Sequence, residues 1–334
     1  MSFLRILLTI CLAAFSAQAA NDLKWTARLT IALPAEAAVI TFSPDASLLV
    51  VGHADGRITI WETKEGKLIK ALSAHAKGIR RLGFTPRGDK LITLGQDNRA
   101  RVWSVSDWDD AGSIEDIGFS FAISDNSRWV VGQDSQQAIW LWDLTTLKRV
   151  RQLGKSGIGG ALDMCFLDAQ HLVVVYGYEP HLIDIETSAN TVLPVRTSKP
   201  QMNVKQVGDK QFSISLGSLD DDSAMSHHLA VNPGRSLVAV GRGWYGKPDF
   251  VDVFDLAKMQ RVGRYKPKDG GTQASFSFDN SLLAIEGAKN VTLWKVSEGK
   301  QIGSVQGNGL VQFSPKSLEL AVTNDNSLTL YVPK

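Results

Sequence analysis

One phrase returns along most of the chain: a turn of the Ser-Pro-Asp kind, an apolar run, a second turn, and an apolar stretch closed by an aromatic. It is plainest in FSPDASLLVVGHADGRITIW (Phe42 to Trp61) and FTPRGDKLITLGQDNRARVW (Phe84 to Trp103). Fainter copies are FSFDNSLLAIEGAKNVTLW (Phe276 to Trp294) and FSPKSLELAVTNDNSLTLY (Phe313 to Tyr331). A unit this small cannot bury its apolar face alone, so copies must stack on one another.

Strand length and turn chemistry define the unit. ASLLVV and GRITIW are short runs rich in β-branched and aromatic residues, separated by His53-Ala54-Asp55-Gly56, which is the pattern of a hairpin. Each aromatic is followed by another turn, such as Thr63-Lys64-Glu65-Gly66-Lys67, and one more strand, LIKAL. Four strands per unit result: a before the Ser-Pro-Asp turn, b after it, c ending in the aromatic, and d.

With these residues in view, the chain resembles the WD-repeat family of β-propellers over residues 23 to 333. Trp142-Asp143 and Phe254-Asp255 stand where that family carries its Trp-Asp pair, and Trp61-Glu62, Trp103-Ser104 and Trp294-Lys295 are looser versions. The resemblance implies an all-β, seven-bladed propeller of four-stranded antiparallel blades around a central channel, used mostly to hold other proteins. It also implies a buried structural tetrad in the second unit: His75 ahead of strand a, Thr93 on b, Asp97 in the b–c turn and Trp103 on c.

Strand a ends near Phe42, Phe84, Ile123, Phe166, Val231, Phe276 and Phe313, which gives seven units. Most spacings approach the ~40–45 residues of one blade. The exception, 65 residues from Phe166 to Val231, contains an insertion read as Arg196 to Ser226, in which VKQVGDKQFSISL has the look of a hairpin. An eighth, degenerate blade there would need more strands than the segment holds. The last unit stops one strand short, at LTLYVPK, and LKWTARLTIAL (Leu23 to Leu33) is one spare strand. Pairing the two closes the ring and removes an exposed edge. Residues 21–334 are therefore expected to form a single domain.

The first twenty residues differ in kind. A short start with Arg5, an apolar run from Ile6 to Phe15, and Ser16-Ala17-Gln18-Ala19-Ala20 follow the layout of a signal peptide, cleaved after Ala19 or Ala20. The apolar run is too short to span about 30 Å of hydrocarbon, so no membrane insertion is expected after cleavage. The destination is the periplasm in a two-membrane bacterium and the extracellular space otherwise. Cleavage removes Cys11 and leaves Cys165, read as a small buried hydrophobe in the apolar run ALDMCFL.

The formal charge is +2 with no dense basic stripe, which argues against nucleic acid as a partner. Neither the histidines nor Asp220-Asp221-Asp222 have metal-ligand spacing, and no phosphate loop or nucleophile elbow is present. No cofactor is expected. The loop RGWYGK (Arg242 to Lys247) pairs cationic and aromatic residues of the types enriched at binding hot spots. Arg242, Trp244, Tyr245 and Lys247, with Trp108 in the turn SDWDDAG, are therefore the candidate partner-binding residues. The alternative for Arg242 and Lys247 is pairing with Asp220 to Asp222, and for Trp108 packing on its own blade. The expected function is a non-enzymatic, exported scaffold for a partner protein. The competing expectation is a propeller enzyme or small-ligand binder at the channel mouth, for which His53, Asp55, Asp97, Asp134, Glu179 and Asp325 are candidates.

Overall fold

The computed structural model describes residues 24–155, 161–176, 179–192, 202–206, 212–216, 225–234, 236–244, 247–258 and 260–334. Seven four-stranded antiparallel sheets follow one another along the chain as the blades of a propeller. Blade one, for example, runs Ala37–Phe42, Leu48–His53, Arg57–Glu62 and Leu68–Ser73. The innermost strands of the seven blades are Ala37–Phe42, Ile79–Phe84, Phe121–Ile123, Ala161–Phe166, Met225–Val231, Ala274–Phe276 and Val311–Phe313. Each repeat residue used to count the units is the last residue of one of these strands.

The Ser-Pro-Asp turn recurs because its hydroxyl organises both ends of the a–b hairpin. Ser43 Oγ donates to Asp45 at 2.5 Å and accepts the Leu48 amide at 2.9 Å. Ser277 and Asp279 repeat the pattern with Leu282. Thr85, Ser124 and Asn232 supply the equivalent acceptor in other blades. The hydrogen bonds from Ser43 and Ser47 hold the Asp45 carboxyl below the usual range. A local side-chain turn of this kind needs no tertiary help, so it survives where the rest of the repeat has drifted.

Closure is by exchange of strands between the chain ends. Trp25–Ala32 pairs antiparallel with Ser327–Pro333, from Trp25↔Pro333 to Ala32↔Ser327, and completes blade seven. Ile31, Leu328 and Leu330 of that blade then pack against Ile40, Phe42 and Trp61 of blade one. The register shifts between Ala27 and Leu29, which leaves Arg28 as the extra residue of a bulge, a device that re-aims a side chain.

Within the segment 196–226, Met202–Gln206 and Phe212–Leu216 pair with each other as a two-stranded hairpin separate from the blades. Residues 1–20, read as a signal peptide, and Asp220 to Asp222 lie outside the described residues. Among the described residues there is no helix long and apolar enough to cross a membrane.

Candidate functional site

The tetrad of blade two forms a continuous chain of hydrogen bonds. His75 Nδ1 lies 3.0 Å from Asp97 Oδ1, His75 Nε2 lies 2.8 Å from Thr93 Oγ1, and Trp103 Nε1 donates to Thr93 Oγ1 at 3.1 Å. With a neutral ring protonated on Nδ1, every partner is satisfied: Nδ1–H donates to the carboxylate, Nε2 accepts the Thr93 hydroxyl, and that oxygen accepts the indole N–H. Burial pushes the Asp97 carboxyl up. The hydrogen bond from His75, with the amides of Arg99 and Ala76, outweighs burial and leaves it below the usual range. A Cβ on Gly95 would lie 2.5 Å from both Asp97 Oδ1 and His75 Cγ, so glycine is required there to admit the pair. His75, Thr93 and Trp103 are all buried. The arrangement locks the strands together.

Blade one carries a second version that the spacing did not reveal. His53 Nε2 lies 2.8 Å from Thr59 Oγ1, Trp61 Nε1 donates to the same oxygen at 2.9 Å, and His53 Nδ1 donates to the Ala35 carbonyl at 3.1 Å. The histidine has moved from the d–a connection to the end of strand b, and the hydroxyl from b to c. The sequence signal is Thr-x-Trp, present as Thr59/Trp61 and again as Thr292/Trp294, where the indole donates at 2.9 Å.

Blade five turns the same position into an ion pair, and this corrects the reading of Arg242 as an exposed binding residue. Strand b runs Leu237–Trp244 and strand c Lys247–Asp255, so Arg242 is inside a strand. It is fully buried, with Nη1 donating to Asp252 Oδ2 at 3.0 Å. Arg264 also reaches Asp252, at 2.7 Å, and stacks 4.5 Å from the Phe250 ring. A guanidinium in this setting is held inside the blade and is not offered to a partner. Tyr245 and the side chains of Trp244 and Lys247 lie outside what is described.

Trp108 is corrected likewise. It is 8% exposed and packs with Val50, Ile58, Ile79, Leu91 and Trp103, at the seam of blades one and two. It has φ 65° and donates its amide to Ser104 O, as Gly66 does to Glu62 O in blade one. A Cβ at Gly66 would meet Leu29 and Ile31 of the preceding blade. The left-handed corner of the c–d turn therefore aims its side chain back across the seam, and Trp108 occupies that space.

The channel has a cavity volume of about 720 Å³ and is lined by the innermost strands of all seven blades. Two layers follow from the repeat. One residue before the end of strand a stand Thr41, Gly83, Ala122, Cys165, Ala230, Ser275 and Gln312. Six of these seven are small, which keeps the bore open, and Cys165 is accordingly half-buried in the channel wall. Three residues before the end stand Val39, Arg81, Ser120, Asp163, His228, Gln273 and Leu310. Arg81 of blade two reaches past blade three to ion-pair with Asp163 of blade four, and its Nη2 donates to the Met164 carbonyl at 3.2 Å. Asp163 also accepts Ser120 Oγ at 3.1 Å, the Met164 amide at 2.8 Å and the Leu229 amide at 3.0 Å. One carboxylate thus ties four consecutive blades.

At the mouth on the d–a side, Phe119 is 61% exposed. The Arg80 guanidinium lies 4.8 Å over its ring and donates to Asn98 Oδ1 at 3.0 Å. Among the described side chains, none of His53, Asp55, Asp97, Asp134 and Asp325 lines the channel, and the Glu179 side chain lies outside what is described. Trp140 Nε1 donates to Asp134 at 2.8 Å, and Asp55 pairs with Arg57 at 2.6 Å, so these two carboxylates serve their own hairpins. Among the described residues no group of three or more His, Cys, Asp or Glu is placed to hold a metal ion. The missed residues, Arg80, Arg81, Phe119 and Asp163, sit at fixed offsets from the end of strand a or just before it. Counting back from the end of strand a would have found both layers of the wall, Asp163 included.

The family model described as the WD40 domain of anaphase-promoting complex subunit 4 matches residues 25–87. The WD repeat and SOCS box-containing protein 1 of Xenopus tropicalis and that of Homo sapiens are each 31% identical over 108 residues, 31% of this chain and 26% of theirs. The pre-rRNA-processing protein IPI3 of Mycosarcoma maydis is 27% identical over 141 residues, 35% of this chain and 24% of its own. The chain thus covers about a quarter of the length of these relatives. In fold, the β-propeller domain of Myceliophteria thermophila Cps50 (Swd1) superposes with a TM-score of 0.73 at 13% identity, covering 92% of this chain and 99% of that one. With the blades, the tetrad and these matches together, the chain has the fold of a seven-bladed propeller and is similar to WD40-repeat proteins over its first blades.

Proposed function

We propose that this protein is an exported, non-enzymatic scaffold that docks another protein on the face carrying its d–a and b–c connections. The observation that carries the reading is Phe119: a large, mostly exposed aromatic at the channel mouth, held by a stacked Arg80 that is itself fixed to Asn98. Aromatic and arginine side chains that are already ordered lose little freedom on binding. The b–c and d–a connections share one end of each antiparallel blade. The family model that matches residues 25–87 is named for a subunit of a complex, which favours docking over catalysis.

Export rests on the layout of Met1 to Ala20. Terminal sequencing of protein purified from its source should give a chain starting at Ala20 or Asn21; a start at Met1 or Ser2 removes export from the reading. Docking is tested by affinity capture from the native envelope followed by mass spectrometry. The wild type should retain one partner that Arg80→Ala/Phe119→Ala loses with an unchanged melt. Equal retention by the variant dismisses this face.

A further inference from the structure

We infer that the channel is a binding site for a carboxylate-bearing ligand, held at the layer of Arg81, Ser120, Asp163 and Gln273. Its volume of about 720 Å³ lies within the ~300–1,000 Å³ typical of small-molecule sites. The charged residues in its wall are Arg80, Arg81 and Asp163, beside the titratable His228. Asp163 is the one carboxylate among these lining residues, and it is already committed to Arg81, Ser120 and two backbone amides. Its negative charge is spent inside the wall, whereas Arg80 and the partly exposed guanidinium of Arg81 leave the lumen with a positive excess. Among the described residues a cation would meet no available carboxylate there. An anion gains both guanidinium groups in a bore whose walls exclude bulk water on all sides but the ends, where such attraction is screened least.

Geometry adds direction. Arg81 is pinned through Nη1 and Nη2 to blade four, so its remaining edge cannot swing away and is pre-organised to donate. Gln273, across the ring on blade six, presents an amide at the same level, which can donate to the second carboxylate oxygen or to a neighbouring polar group. The layer of small residues beneath, from Thr41 round to Ser275, leaves room for the body of the ligand. The carboxylate can belong to a free small acid or to a glutamate of a peptide; the site reads the shared group. The site shares Arg80 with the docking surface on the rim, while Arg81, Ser120, Asp163 and Gln273 belong to the channel alone.

The experiment is isothermal titration of the full mature chain with two probes, succinate and an N-acetylated tri-glutamate peptide amide. Variants are Arg80→Gln and the neutral pair Arg81→Gln/Asp163→Asn, which removes the charge without leaving a lone buried carboxylate. Binding by either probe that weakens at least tenfold in both variants and falls with added salt supports the site. Succinate binding assigns it to free acids, and tri-glutamate binding alone assigns it to peptide-borne ones. No binding of either probe, or unchanged affinity in the variants, overturns it. Phe119→Ala should lose the captured partner while keeping succinate affinity within about twofold, which separates failure here from failure of the docking face.

Discussion

Arg28, the extra residue in the bulge of the closing strand, donates Nε to Glu319 Oε1 at 2.7 Å within blade seven. The same guanidinium reaches the Thr63 and Lys64 carbonyls of blade one, at 2.8 and 2.9 Å. One side chain therefore stitches the closing strand to its own sheet and to the first blade.

Closure can be tested at two scales. Deleting Asn21 to Pro34 leaves Ser327–Pro333 as a bare edge and uncovers Ile40, Phe42 and Trp61, so the thermal melt should fall sharply. Arg28→Ala removes one partly exposed ion pair and two charge-assisted bonds, together worth about 1–2 kcal/mol, and should lower the denaturant midpoint without changing the slope. An unchanged melt on deletion would mean that the ring does not depend on this strand.

Thr93→Val should destabilise by about 1–3 kcal/mol, because an isosteric methyl leaves the Trp103 indole N–H and His75 Nε2 buried without a partner. Thr59→Val predicts a similar loss in blade one through Trp61 and His53. Chemical denaturation of the two single variants and the double should give additive losses, since the two chains share no residue.

Trp108→Ala should cost about 3–5 kcal/mol, the usual range for emptying a buried aromatic site, while capture of a partner at the rim is unaffected. Arg242→Ala should likewise lower the melt strongly, by about 3–5 kcal/mol, because it strips a buried counter-charge from Asp252. A variant at either position that folds as wild type but loses a partner would restore the exposed reading.

Two groups should give opposite pH signatures. Burial pushes the Glu286 carboxyl up, against the backbone bonds from Gln273 and Thr272 that lower it, with Asp249 adding to the rise. A carboxyl whose folded value is raised contributes stability below its unfolded value, lost as pH rises through the folded value. Glu286→Gln should therefore raise the melt at pH 7, with the gain fading below about pH 4.5. Burial pushes the His53 ring down, outweighing the carbonyls of Ala35 and Glu36. Its contribution is intact above the unfolded value of about 6.5 and declines as pH falls through that region towards the folded value. Melts of wild type, Glu286→Gln and His53→Gln from pH 4 to 8 check both; a parallel set of curves would refute the assignments.

Much of the architecture was legible because it rests on local chemistry. The serine that accepts the Leu48 amide and the aromatic that ends strand c are set within one hairpin, so they persist in sequence. The tetrad of blade two was readable for the same reason, as all four of its residues kept their places. Blades one and five were not, because His53 and Arg242 occupy one position with unlike chemistry, and only the paired residue across the strands, Thr59 or Asp252, explains each. Arg242 looked like surface because a charged residue beside Trp244 and Tyr245 reads as a loop. Its burial depends on Asp252, ten residues away and on the neighbouring strand. Asp163 stands three residues before Phe166, an offset that marks it as wall, but its partners come from three other blades and no spacing within a unit records them. Trp108 was misjudged because the backbone, at φ 65°, turns its side chain across the seam, something that polar neighbours in sequence do not show.

The pairing of Trp25–Ala32 with Ser327–Pro333 also sets an order of events. Six sheets can assemble as the polypeptide emerges, each from contiguous sequence, but the seventh must wait for its final strand to meet the earliest one. Until then Trp25–Ala32 is a strand without a sheet, and blade one presents an uncovered flank. Completing the circle is the one long-range step, and the point at which a misplaced neighbouring molecule has most to offer.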